Sequence, residues 1–115
     1  MRLVQLAFSL LFAVSSAPTL AADAEAGLLA VKRLGGVNGQ ALACAETKVA
    51  SRARELMLAH APKTPRFGAA YEEATQEAFT AQTRSGQACA SATELTARLN
   101  ALALQLSEAL PVTAK

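Results

Sequence analysis

Cys44 and Cys89 are the only cysteines in this chain of 115 residues, and a bond between them would constrain how every segment in the interval packs. Such a bond needs an oxidising compartment, and the first residues supply a means of reaching one. MRLVQLAFSLLFAVSSAPTLAADAEA carries one positive charge at Arg2, an apolar run from Leu3 to Val14, and small residues from Ala17 to Ala24. These are the three parts of a secretory signal peptide. The run is too short to cross a bilayer, which takes about 20 apolar residues. Residues 1–22 are therefore expected to be removed, by a cut after Ala21 or Ala22, and residues 23–115 to form a single domain. The expected location is the periplasm or the exterior of the cell. No cysteine precedes Cys44, so no lipid-modified N-terminus is expected beside the cut.

The pair reads as structural. Neither CxxC nor CxxCH occurs, which leaves thioredoxin-like exchange and covalent haem attachment without support. On the chain-entropy argument, closing a loop of this length stabilises a fold by up to about 4 kcal/mol. A domain with so few large side chains has need of it.

The signal segment accounts for much of the 52% hydrophobic content and of the mean hydropathy of +0.25. Without it the chain is ordinary in hydropathy. Of 11 basic residues Arg2 is lost, leaving 10 against 9 acidic ones and a net charge of +1 with His60 neutral. The two signs are interspersed, so neither nucleic acid nor an anionic membrane is expected as the main partner, and no stable membrane insertion is expected once the signal is cut.

Alanine fills 24 of the 94 positions from Ala22 onward, tyrosine occurs once and tryptophan not at all. Nothing reads as a strand. The expectation is an all-α fold: a small antiparallel helical bundle of four helices, or three with a long first helix, stapled by the disulfide.

A first helix is expected over about 24–34, with Asp23 as N-cap and Ala24, Leu28 and Val31 as its stripe. Gly35-Gly36-Val37-Asn38-Gly39 then has two readings. Each helical glycine costs roughly 1 kcal/mol and Asn-Gly favours a turn. Yet the four-three spacing continues through Val31, Gly35, Asn38 and Leu42, as if one helix ran from Ala24 to His60 with Gly35, Gly39 and Ala43 as a smooth groove. That helix would be about 55 Å long, far longer than its partners, and the mismatch favours the turn.

A second helix over about 40–60 repeats Leu42, Glu46, Val49, Ala53, Leu56 and His60. Ala61-Pro62 ends it, because the residue before proline is driven out of the helical region. Thr64 and Pro65 are placed as N-cap and first helical position of a third helix, to Arg84, bearing Phe67, Tyr71, Ala74, Ala78 and Ala81. Ser85-Gly86 stops it. Ser91 and Glu94 make the S-x-x-E pattern that opens a fourth, whose stripe is Leu95, Leu99, Leu102, Leu106 and Ala109, closed by Pro111. If helices two, three and four alternate in direction, the starts of the second and fourth share one end of the bundle. Cys44 and Cys89 lie at those starts.

Candidate chemistry is sparse. One histidine, His60, excludes paired-histidine metal sites and leaves any acid–base mechanism a single imidazole. With Lys63 and Arg66 it surrounds the loop before the third helix, where the three could contact a small anion, a metal ion or a partner. Its other role is to end a helix where positive charge is favoured. Glu72, Glu73 and Glu77 read as a solvated face, since adjacent helical residues do not converge. Glu46 lies on the inward stripe without a second group. No phosphate loop, nucleophile elbow, calcium loop or zinc spacing occurs. No catalytic residue, metal or cofactor is assigned.

In general layout, an exported helical domain with one long-range disulfide, the chain resembles the small periplasmic acid-stress chaperones of the HdeA type. The resemblance is one of architecture, shares no motif, and transfers no residue. The expected function is non-enzymatic: binding another periplasmic protein as accessory subunit, chaperone-like factor or inhibitor. The alternative is a small-anion or metal binder using the His60, Lys63, Arg66 loop. The regular leucine stripe of the fourth helix also suits a homodimer.

Overall fold

The computed structural model describes residues 20–112, so most of the expected signal peptide lies outside the described residues. Four helices follow one another: α1 (Leu20–Ala43), α2 (Thr47–His60), α3 (Pro65–Ser85) and α4 (Ala92–Ala109). Among the described residues there is no strand, and no helix is long and apolar enough to cross a membrane. α1 is drawn from Leu20, so Asp23 lies inside it rather than capping it.

The first departure from expectation is in α1. It runs without a break through Gly35, Gly36 and Gly39 and ends at Ala43, so the glycine segment is helix and not a turn, and α2 starts at Thr47 and not near Gln40. The reason is that two of the glycines are where α3 lies. A β-carbon on Gly35 would sit 2.6 Å from the Tyr71 carbonyl oxygen and 2.9 Å from the Ala74 β-carbon. One on Gly39 would sit 2.8 Å from the Ala78 β-carbon and 2.8 Å from the Phe79 nitrogen. The helix-breaking tendency of glycine is offset by the close approach that only glycine permits.

The single helix from Ala24 to His60 is not formed either. α1 closes in a Schellman turn: Glu46 N–H donates to the Ala41 carbonyl at 2.8 Å and Ala45 N–H to the Leu42 carbonyl at 3.3 Å. The left-handed position is held by Ala45, with φ 57°, where glycine is the usual occupant. The remaining boundaries follow the sequence. Ala61 is extended before Pro62, Thr64 is extended before Pro65, and Gly86 stops α3 at φ 65°. Ser91 Oγ accepts from the Glu94 N–H at 3.1 Å to open α4. The Glu94 carboxylate turns to Arg98 at 3.0 Å instead of completing a reciprocal cap.

Directions follow from paired contacts. Gly35 meets Tyr71 and Ala74, and Gly39 meets Thr75 and Ala78, so α1 and α3 are parallel. Gly27 meets Leu110, Arg33 meets Gln105 and Gln40 meets Arg98, so α4 is antiparallel to α1. α2 turns back along α1 and ends beside the end of α4, where His60 meets Leu110. The alternation places the entrances of α2 and α4 together, and there Cys44 and Cys89 are bonded, with α-carbons 5.9 Å apart.

α1 is the axis. It packs on all three other helices, α2 also packs on α4, and α3 packs on α1 alone. The core reflects this: Val31, Leu34, Val37 and Ala41 of α1, Val49, Ala53 and Leu56 of α2, and Leu95, Leu99, Leu102 and Leu106 of α4 are buried, whereas α3 buries only Phe67 and Ala70. The expected stripes of α2 and α4 are thus borne out at their centres, while Leu42 is half exposed, and on α3 Phe79 and Ala81 are exposed.

Candidate functional site

Because the backbone of α3 comes close only to that of α1, α3 stands as a ridge with a groove on each side. The flank toward α4 is a trough whose floor is the outer face of α1, bounded by α3 from Lys32 to Gln40, about 12 Å of helix, and continued to Ala26 between α1 and α4 alone. Three adjoining depressions make it up, sharing Arg33, and the largest has a volume of about 530 Å³. Its surface is built of small residues: Gly36 on the floor, Ala74, Ala78 and Ala81 on the α3 wall, Ala101 and Ala109 on the α4 wall. Charged groups of both signs sit along it, with Lys32 and Arg33 from α1, Glu73 and Glu77 from α3, and Glu108 from α4. Arg33, on the floor, donates to the Gln105 side chain of the α4 wall at 3.2 Å.

The flank toward α2 is a separate groove of about 470 Å³, lined by Asn38, Leu42, Thr47, Ala50, Ser51, Arg54 and Tyr71. Asn38 is the one buried polar side chain of the described core. Its amide donates to Thr75 Oγ1 at 3.2 Å, and that hydroxyl donates onward to the Tyr71 carbonyl at 2.8 Å. The Tyr71 hydroxyl is buried and has no hydrogen-bond partner. Burial pushes its pKa up from the ordinary 10.0, and the Arg54 guanidinium opposes that rise.

His60, Lys63 and Arg66 are distributed differently from what a shared site would need. His60 is half-buried and its Nδ1 lies 2.7 Å from the Leu110 carbonyl oxygen. A carbonyl only accepts, so Nδ1 carries the proton and donates. The ring thereby ties the end of α2 to the end of α4. Lys63 and Arg66 are exposed, and among the described residues no hydrogen bond or ion pair joins the three. Glu72, Glu73 and Glu77 are exposed. Among the described residues no group of three or more His, Cys, Asp or Glu side chains is placed to hold a metal ion.

Both flanks went unseen in the sequence reading, which assigned Ala74, Ala78 and Ala81 to a core stripe. One signal was available: the stripe of α3 is made of alanine after Tyr71, too small to fill the space beside an adjacent helix on both sides. Comparison with family models, curated proteins and solved structures finds no match to this chain.

Proposed function

We propose that this is an exported, non-enzymatic binding protein that takes up a helical segment of another protein in the trough between α3 and α4. The observation that carries the reading is that α3 packs closely on α1 alone, which leaves the α1 face from Lys32 to Gln40, about 12 Å of helix, at the bottom of a trough between α3 and α4. A partner helix of about two turns matches that length. The small residues of floor and walls allow its backbone close, and the mixed charges along the trough supply the polar rim that protein interfaces have. Export is supported by the composition of residues 1–22 and by the Cys44–Cys89 bond, which suits an oxidising compartment. The periplasm is the proposed location. Accessory, chaperone-like and inhibitory roles all use such a surface, and a second copy of the chain is the other occupant to test.

The test is co-purification from the native host with trough-filling variants. Ala78→Trp and Ala101→Trp occupy the two walls, and Glu72→Trp places the same bulk on an exposed position that is not part of the trough. A partner retained by the wild type and Glu72→Trp but lost from both wall variants supports the reading. Retention by all three sinks it, and concentration-dependent self-association lost in the wall variants assigns the trough to a homodimer.

A further inference from the structure

The groove between α2 and α3 differs from the trough in its chemistry. Of its seven lining residues only Arg54 is charged, and Thr47, Ser51 and Tyr71 bring hydroxyls, while Leu42 and Ala50 are apolar. No acidic residue lines it. Arg54 is exposed and, among the described residues, forms no ion pair. The Tyr71 hydroxyl is covered and lacks a partner, a state that costs a native protein free energy and is uncommon. The guanidinium beside it is a donor only and offers the phenolic hydrogen nothing. What this corner lacks is an acceptor, and a negative one. Guanidinium groups take carboxylates through paired, parallel hydrogen bonds. A single cation beside apolar surface matches a singly charged carboxylate better than a phosphate, which calls for more positive charge.

We propose that this groove binds a small organic acid, its apolar body lying over Leu42 and Ala50 and its carboxylate taken by the exposed Arg54 guanidinium, the side chains that cover the Tyr71 hydroxyl parting to let it reach the acid. Thr47 and Ser51, one turn apart on the same face of α2, edge the groove and add further donors. The volume of about 470 Å³ lies within the range of small-ligand sites, which combine apolar lining with a few convergent polar groups. The site is on the opposite flank of α3 from the trough, so the two readings stand or fall separately.

The chain has one tyrosine and no tryptophan, so its intrinsic emission reports on this groove alone. Octanoate is the probe, and octyltrimethylammonium carries the same tail with the opposite charge. Saturable change of Tyr71 emission with octanoate and none with the cation is expected. Arg54→Gln, on the surface, should weaken octanoate binding about tenfold, and Tyr71→Phe, followed by calorimetry, about fivefold. Arg84→Gln, an exposed cation outside the groove, should leave the affinity unchanged, and circular dichroism checks that each variant folds. The proposal is overturned by equal binding of the two amphiphiles, by an affinity indifferent to Arg54→Gln, or by no octanoate binding at millimolar concentration. Capture of an acidic peptide but not of octanoate overturns it too, because the carboxylate would then belong to a protein.

Discussion

Gly39 of α1 and Thr75 of α3 meet backbone to backbone, so closely that a β-carbon on Gly39 would overlap the Thr75 carbonyl oxygen. The parallel pairing of the two helices depends on this contact and its companion at Gly35. Gly39→Ala is expected to destabilise the protein by about 1–3 kcal/mol, the usual cost of overpacking. Gly36→Ala, about one helical turn before Gly39 but with nothing within 4 Å of its added β-carbon, is expected to stabilise by up to about 1 kcal/mol through helix propensity. Urea unfolding of the two variants checks both signs. Equal effects would mean that the glycines do not set the α1–α3 distance.

Ala45 closes α1 in the left-handed region at φ 57°. A β-carbon there costs about 1–2 kcal/mol relative to glycine, part of which glycine gives back through the greater freedom of its unfolded chain. Ala45→Gly is therefore expected to stabilise the fold, by about 0.5–1 kcal/mol. Thermal unfolding measures it, and a loss of stability would count against the Schellman turn.

The Cys44–Cys89 bond closes a loop spanning 45 positions. Its removal in Cys44→Ser/Cys89→Ser is expected to lower stability by up to about 4 kcal/mol, chiefly by freeing the unfolded chain. Reductant should lower the wild-type Tm and leave the double variant unmoved. Free thiols in the protein from its native host would contradict the bond and with it the argument for an oxidising compartment.

Tyr71 predicts a dependence on alkaline pH. Its phenol is pushed above the ordinary 10.0 by burial, against the pull of Arg54, so the folded protein holds this proton more tightly than the unfolded chain does. Stability from this source is whole below pH 10.0, where both states are protonated, and is lost as pH rises through the folded value, since the unfolded chain ionises first. Phenolate absorbance, which only Tyr71 can give, should appear later in the folded protein than in urea. Tyr71→Phe should remove this component of the alkaline loss, and at neutral pH it should cost little because the hydroxyl it deletes has no partner.

Much of the fold was legible because four of its devices are local. Ala61-Pro62, Thr64-Pro65, Ser85-Gly86 and Ser91-x-x-Glu94 each mark a boundary through the backbone of the residues themselves, and the structure keeps all four. Thr64 keeps its position without a side-chain capping bond. The leucines of α4 were equally plain, since Leu95, Leu99, Leu102 and Leu106 form an uninterrupted buried row. The junction of α1 and α2 was not. Its turn is made by Ala45, which carries no turn signal, while the residues that do carry one, Gly35 to Gly39, serve a contact with a helix more than thirty positions away. Propensity is a local quantity and the close approach of α3 is not, so the tertiary contact decided. The candidate sites were missed for a related reason. A row of alanines reads as core, and only the placement of α3 on a single neighbour shows that both its flanks are left open.

The lone seat of α3 on α1 also sets an order of local opening. α1, α2 and α4 bury one another's leucines and valines, whereas α3 contributes only Phe67 and Ala70 to the interior. Amide hydrogens of α3 are thus expected to exchange through a sub-global event cheaper than complete unfolding. Just beyond its C-terminal end, Cys89 is fastened to Cys44, so a detached α3 stays leashed at the far pole and returns to the same berth.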